Sequence, residues 1–371
     1  MANKSSRGLL KLGIVTAVVV ALTASTVCGV FAYNSYLMKG DWLREKTALS
    51  FDSVEVDNAM MSFFFGTVSR GFADAHSGEL DSLGLDETKS LKKQTCAYKT
   101  DDGKEQSWFD YFADTAIGEL EDILPAAAAA KKEGLALDDS DTEQINNQIN
   151  TFKTNASKLG LSLDSYLSSR YGKGVKEADV RRCLELSALA NMYSKSFEQS
   201  LEFTDSELED YFTQNIGGEK SLEPTKNWRG IWLSASAYGS SDSAKEAARG
   251  LLSEWKKGER DEDSFASLAR LYSNERGYAA LGGRHTDVAR EDMPEAVRDW
   301  LCSSLRVEGD FTLIESDSGC FLLYFIGDGP PEWRAKAENG LTEAKVSAEL
   351  ERLRSAGKLT VDREVINKLK W

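Results

Sequence analysis

The sequence predicts an α+β protein: an N-terminal transmembrane helix, an all-helical lobe completed by a C-terminal helix, and an α/β domain inserted between the two. Three observations predict it. An uncharged apolar run opens the chain, helical periodicity fills the first half and returns at the end, and a strand-and-helix texture punctuated by glycine lies between.

The apolar run, Leu12 to Tyr33, is about 22 residues long, enough at 1.5 Å rise per residue to cross a ~30 Å hydrocarbon layer. Lys4, Arg7 and Lys11 precede it with no acid among them. The positive-inside bias therefore makes residues 1–33 a cytoplasmic tip and anchor and places the rest extracytoplasmically, as a single-pass protein of the cell membrane. A cleaved signal peptide is the competing reading, since Ala21, Ala24 and Ser25 are small enough for a peptidase, and it would make the protein secreted. Cys28 lacks the preceding leucine and small residue of a lipid-modified cysteine and reads as a buried apolar side chain.

The 371 residues carry 60 acidic against 45 basic side chains, a net charge of −15, and the basic anchor flank leaves the exported part more acidic still. Such a surface repels nucleic-acid phosphate, so nucleic-acid binding is excluded. The chain beyond the anchor is long enough for two cores. Cys96, Cys183, Cys302 and Cys320 are too widely spaced for a CxxC metal or redox motif. Export makes a Cys302–Cys320 disulfide conceivable, although a chain of this size needs no such staple. With His76 and His285 the only histidines, no histidine-rich metal site is expected; no cofactor is called for, and GxSxG, HExxH and phosphate-loop motifs are absent.

Residues 34–220 read as the helical domain. Met61, Phe64, Phe65, Val68 and Phe72 share one helical face, as do Trp108, Phe112, Ile117 and Leu120. Gly134 after Lys131 and Lys132 marks a helix end, and Ser140 with Glu143 and Thr204 with Glu207 read as capping boxes. Pro125 before a run of alanines suits a helix's first turn, because inside a helix it costs about 3 kcal/mol. The segment Met60–Phe65 is apolar on more than one face, which suits promiscuous contact with unfolded chains; core packing is the plainer alternative. Asp81 to Glu87 and Asp138 to Asp141 read as solvated acidic stretches.

Gly217, Gly218 and Pro224 mark a boundary, after which 225–328 forms the α/β domain. Trp228 to Leu233 reads as its first strand, Ser243 to Lys257, Phe265 to Tyr272 and Pro294 to Leu305 as helices, and Phe321 to Ile326 as its closing strand, ended by Gly327, Gly329, Pro330 and Pro331. Residues 332–371 form the C-terminal helix and tail, expected to pack on the helical domain through Ala335, Leu341, Val346, Leu350 and Leu353.

The pieces Ser264 to Ser273, Leu281-Gly282-Gly283, Met293-Pro294 and Ser318 to Phe325 resemble, in order and spacing, a parvulin-type (PpiC-type) peptidyl-prolyl isomerase. Upstream, Ser165 to Gly174, Leu184 to Tyr193 and Thr204 to Phe212 extend the likeness to membrane-tethered or secreted foldases of the PrsA and SurA type. That resemblance implies a SurA-like chaperone lobe interrupted by the isomerase domain. It also implies two buried histidines on central strands, where this chain has Ile231 and Phe321. The family's acid or thiol falls at Glu275, its hydroxyl at Ser318, and its proline-ring methionine at Met293. Its phenylalanine corresponds to Ala296, with a one-residue gap open, and Trp232 lies beside the groove. In place of the usual Asp-Leu-Gly after the glycine pair stand Arg284-His285-Thr286, with His285 read as a polar surface-loop residue. Glu275 and Ser318 also have plain readings as surface or turn residues. Losing both imidazoles together is coherent, because half a buried polar network would leave partners unsatisfied at about 1–3 kcal/mol each.

The expected function is a membrane-anchored extracytoplasmic chaperone or foldase that binds unfolded or exported polypeptides, its parvulin-like domain having low or no isomerase activity. An active peptidyl-prolyl cis-trans isomerase and an anchored scaffold for one protein partner are the alternatives, and a homodimer is left open.

Overall fold

Residues 43–275 and 277–371 are described in a computed structural model of the chain. The apolar run Leu12–Tyr33, with its anchor and signal-peptide readings, and Cys28 lie outside them. Among the described residues no helix is long and apolar enough to cross a membrane. The chain divides into two units, one made of the residues up to Leu201 together with Glu343–Trp371, the other of Glu202–Thr342.

The first unit opens with a hairpin of β1 (Thr47–Phe51) and β2 (Val54–Asp57), paired Phe51 to Val54 across a turn in which Asp52 takes a positive φ of 51°. Helix α1 (Asn58–Ala75) starts at once, the Asp57 carboxylate accepting from the Ala59 and Met60 amides. All of Met60–Phe65 is buried, so the segment proposed for client contact is core. Phe65 sits at its centre, its ring 5.1 Å from Phe109 and 6.1 Å from Phe112. Those two belong to α2 (Trp108–Lys132), which runs through Pro125 instead of restarting there. Burial of Leu124 and Ala126–Ala128 on the core offsets the lost backbone bond. Gly134 follows its end with φ 75°, as expected. Helix α3 (Asp139–Lys158) begins earlier than the Ser140–Glu143 box implies, because Asp138 and Asp141 cap it reciprocally. Helices α4 (Leu163–Tyr171) and α5 (Glu177–Gln199) complete this stretch.

The second unit begins at Glu202, upstream of the glycine pair taken as the boundary. Its α6 (Asp205–Tyr211) carries the expected Thr204–Glu207 box, and Leu208 and Phe212 pack with Ala337. Strand β3 (Pro224–Ser234) leads through a single turn, α7 (Ala235–Tyr238), to α8 (Ser241–Trp255) and α9 (Glu262–Tyr272). After β4 (Arg284–Val288), α10 (Glu295–Leu301) is shorter than expected, and β5 (Phe311–Glu315) turns back into β6 (Gly319–Pro331). All pairings are antiparallel, in the order β4-β3-β6-β5. Gly327 to Pro331 extend the closing strand rather than end it: β5 pairs only as far as Tyr324, so beyond that point one side of β6 is an edge where a missing N–H is harmless.

Helix α11 (Glu332–Ala356) runs across the division at Thr342 and is followed by β7 (Leu359–Val361) and α12 (Arg363–Ile366). In the first unit β7 pairs with β1, Leu49 opposite Val361, giving a sheet ordered β2-β1-β7. The expected all-helical lobe is therefore mixed α+β, its strands too short and too far apart in sequence to show as alternation. The four described cysteines are free thiols. Cys320 and Cys302 pack into different clusters on opposite faces of the second sheet, which rules out the disulfide considered for them.

Candidate functional site

Strand β3 divides its side chains between two environments. Ile231 and Leu233 face α8 and α9, packing with Ala248, Trp255, Phe265, Ala269, Cys320 and Leu322. Trp228 faces the other way, into a cluster with Met293, Val297, Leu301, Leu323 and Phe325. Period two then puts Gly230 and Trp232 with Trp228. Ile231, fully buried against α8 and α9, thus does not lie on the face that carries Trp228 and Met293. A one-residue offset in matching the strand moves a side chain to the opposite face, and the neighbouring position on the Trp228 face is Gly230. A Cβ at Gly230 would lie 2.7 Å from Trp228 Cζ3 and 3.4 Å from Glu275 Oε2. The indole and the carboxylate thus occupy the space a side chain there would need.

Phe321 is where the sequence placed it, opposite Trp232 in the β3–β6 register, the two half-buried rings 4.4 Å apart. Met293 is buried on the same face. Ala296 points to solvent, and Val297, four residues after Met293, is the residue that packs beside it. Ser318 stands apart: exposed at the β5–β6 turn, its hydroxyl meets that of Ser316 at 3.1 Å and its carbonyl accepts from the Ala235 amide.

Glu275 is held by the segment that leaves α9. Ser273 Oγ accepts from the Trp232 amide at 3.1 Å and from the Glu275 amide at 3.3 Å, while the Asn274 amide donates to the Trp232 carbonyl at 2.7 Å. Farther along, Gly230 N–H donates to the Gly283 carbonyl at 2.7 Å. A Cβ on Gly283, where φ is 70°, would stand 2.1 Å from the Gly230 carbonyl oxygen, so the second glycine of the pair is required for this approach.

His285 overturns its surface-loop reading. It lies on β4 opposite Trp228, is 7% exposed, and is stacked on both faces: the Trp228 ring is 3.7 Å away at 1° and the Tyr278 ring 3.9 Å away at 18°. Its Nε2 lies 3.3 Å from Glu275 Oε2. The surrounding Arg284-His285-Thr286-Asp287 shows no apolar alternation, so no local pattern announced a buried histidine; its stacking partners lie far off in sequence or on the connecting loop. Trp228 Nε1 is buried with no hydrogen-bond partner. Burial pushes the thiols of Cys302 and Cys320 up, which keeps them protonated and unsuited to nucleophilic work.

The face thus carries an aromatic and aliphatic floor, one half-buried carboxylate and one clamped imidazole. Trp228, Met293, Val297 and Leu301 are buried together, so what the face offers to solvent is Trp232, Phe321 and Glu275, each half-buried, and the exposed Tyr278.

Residues 232–327 match the family described as Rotamase, the PPIC-type PPIase domain. No curated protein matches the sequence. Among solved structures the chain is similar to PrsA from Bacillus subtilis, at 16% identity over 72% of this chain and 95% of that one, with a TM-score of 0.37. It is also similar to the foldase protein PrsA from Streptococcus pneumoniae (17% identity, 67% and 85% covered, TM-score 0.30). A SurA-like chaperone of Campylobacter jejuni aligns at 10% identity over 86% and 100% of the two chains, with a TM-score of 0.27. These whole-chain likenesses are too distant to carry a function. The domain match, on a four-stranded antiparallel sheet with helices on both faces, assigns residues 232–327 of this chain to the parvulin (PPIC-type) domain family.

Proposed function

We propose that this protein is a foldase acting outside the cytoplasm, held at the membrane by the run Leu12–Tyr33, that binds unfolded or exported polypeptides and turns over prolyl bonds slowly or not at all. The observation that carries the reading is the makeup of the groove face. Where the resemblance implies two imidazoles, this chain has Gly230, its space taken by Trp228, and Phe321, stacked on Trp232. An isomerase must lower a barrier near 20 kcal/mol by twisting the amide in a hydrogen-bonding pocket, and at these two positions the face carries no hydrogen-bonding side chain. Rings retain what binding requires, namely apolar area with low rotamer entropy.

The test pairs two assays on the full chain. Suppression of aggregation of unrelated unfolded proteins is expected, together with prolyl isomerisation near the uncatalysed rate. Robust turnover would defeat the second clause, and failure to protect any client would point to a scaffold for a single partner. One observation favours an active isomerase instead: the clamped His285 beside Glu275 keeps an imidazole and a carboxylate in the groove. Under that reading turnover is robust and falls when Glu275 is replaced by Gln.

A further inference from the structure

The tail of the first unit is held by contacts that read little of its sequence. From Leu369 on it is neither helix nor strand. Leu369 is buried, Lys370 exposed and Trp371 half-buried, so alternate side chains enter the body of the unit. Its backbone is gripped by two side chains from one short stretch: Lys92 Nζ donates to the carbonyls of Asn367 and, at 2.7 Å, of Leu369, and Ser90 Oγ donates to the carbonyl of Trp371 at 3.0 Å. The Trp371 ring lies 4.9 Å from that of Phe65, beside two glycines that leave room for it. A Cβ on Gly66 would stand 2.8 Å from Trp371 Cη2, and one on Gly172 3.5 Å from Trp371 Nε1. That Nε1 is buried without a hydrogen-bond partner, and an unmet buried donor weakens the hold on an indole. The slot is shaped for a flat ring yet offers an indole N–H nothing, so a phenyl ring suits its chemistry better.

Carbonyls gripped by a lysine and a serine, a pocket for one aliphatic side chain and a slot for a ring two residues on are means of holding a peptide of varied sequence. Resting on the reading of this protein as a binder of unfolded polypeptides, we propose that the slot formed by Phe65, Gly66 and Gly172 is a binding site for such segments on the first unit, and that Trp371 is its resident, displaceable occupant. The ligand is a segment with a leucine-sized side chain and, two residues later, a phenylalanine. Because Trp371 is only half-buried, the space it vacates opens to solvent. The tethered tail competes at an effective concentration on the order of millimolar, so it turns weak ligands away and yields to tight ones.

The experiment measures binding of two end-blocked fluorescent pentapeptides, Asn-Lys-Leu-Lys-Phe and the same peptide with Ala in place of Phe, to the full chain and to its Trp371→Ala variant. The Phe peptide is expected to bind the parent weakly and Trp371→Ala roughly tenfold or more tighter, while the Ala peptide binds both weakly. Trp371→Phe, which keeps the slot filled and removes the unmet N–H, is expected to bind the peptides as the parent does and to melt no lower. Equal affinity of the Phe peptide for parent and Trp371→Ala, or no preference for Phe over Ala, overturns the assignment. Loss of the cooperative melt in Trp371→Ala overturns it as well, since a displaceable occupant is one the fold can do without. The two readings fail separately: suppression of aggregation by the unaltered chain tests the foldase reading, and the pentapeptides test the slot alone.

Discussion

Gly230 shows how much one residue decides on a two-faced strand. Any side chain there must displace Trp228, whose ring would lie 2.7 Å from the new Cβ. Gly230→Ala is therefore expected to destabilise the second unit by about 1–3 kcal/mol, the usual cost of overpacking, read from the midpoint of a urea melt. Gly283 is stricter still, combining a positive φ with a Cβ position 2.1 Å from a backbone oxygen that cannot move aside. His285 illustrates the reverse case, a polar ring whose two faces are apolar contacts and whose edge meets a carboxylate. His285→Ala removes both stacks and leaves a gap between Trp228 and Tyr278, so a loss of about 2 kcal/mol is expected, together with a change in Trp228 fluorescence. An unchanged melt would show that the two rings close on each other at no cost.

At the scale of elements, the N-terminus of α5 carries a buried carboxylate held by two arginines. Asp179, 1% exposed, is bound by Arg44 and Arg182, and its carboxylate accepts from the Lys176 amide in the helix's capping box. Burial by itself would push its carboxyl up, but the hydrogen bonds from Arg44, Lys176 and Arg182 hold it below the usual carboxylate range. A folded-state value below the unfolded one stabilises the fold above about pH 4, and that stabilisation is lost as the pH falls through the lowered value. Helicity is therefore expected to hold from neutral pH to about pH 4 and then to fall, with Asp179→Asn flattening this acid limb and costing about 1–3 kcal/mol at neutral pH, because Arg44 and Arg182 each lose a buried anionic partner while keeping the Gly174 carbonyl and Asp57 respectively. An acid limb unchanged by that substitution would place the sensitivity elsewhere.

For the whole molecule, the consequential feature is that the first unit is assembled from both ends of the chain. Val346, Leu350 and Leu353 from α11, then Val365, Ile366 and Leu369, are buried in its core, and β7 completes its sheet. At about 1.5–3 kcal/mol for each fully buried apolar side chain, these residues together contribute as much as the net stability of a typical domain. A chain stopped after Thr342 is expected to lose the first unit's cooperative melting transition. Retention of that transition would mean that residues 43–201 carry a sufficient core by themselves.

Much of this was legible locally. Helical periodicity marked α1 and α2, the Thr204–Glu207 box marked α6, and the order of glycine, methionine and closing-strand segments marked the parvulin-type domain, because each of these signals lies within a few residues of itself. Met293 and Phe321, placed through short motifs on the elements that carry them, pack in one cluster with Trp228. What the sequence by itself determined about this protein was the presence of the parvulin-type segment at residues 232–327. Only the tertiary structure decided which face each residue serves. Strand register moved the groove position from Ile231 to Gly230, helix phase replaced Ala296 by Val297, and pairing of distant segments buried His285 between Trp228 and Tyr278 and turned Met60–Phe65 into core. The physical reason is common to all of them: side-chain direction alternates or rotates within one or two residues, so a match of motifs accurate only to that margin leaves the face undetermined until neighbouring elements pack against it.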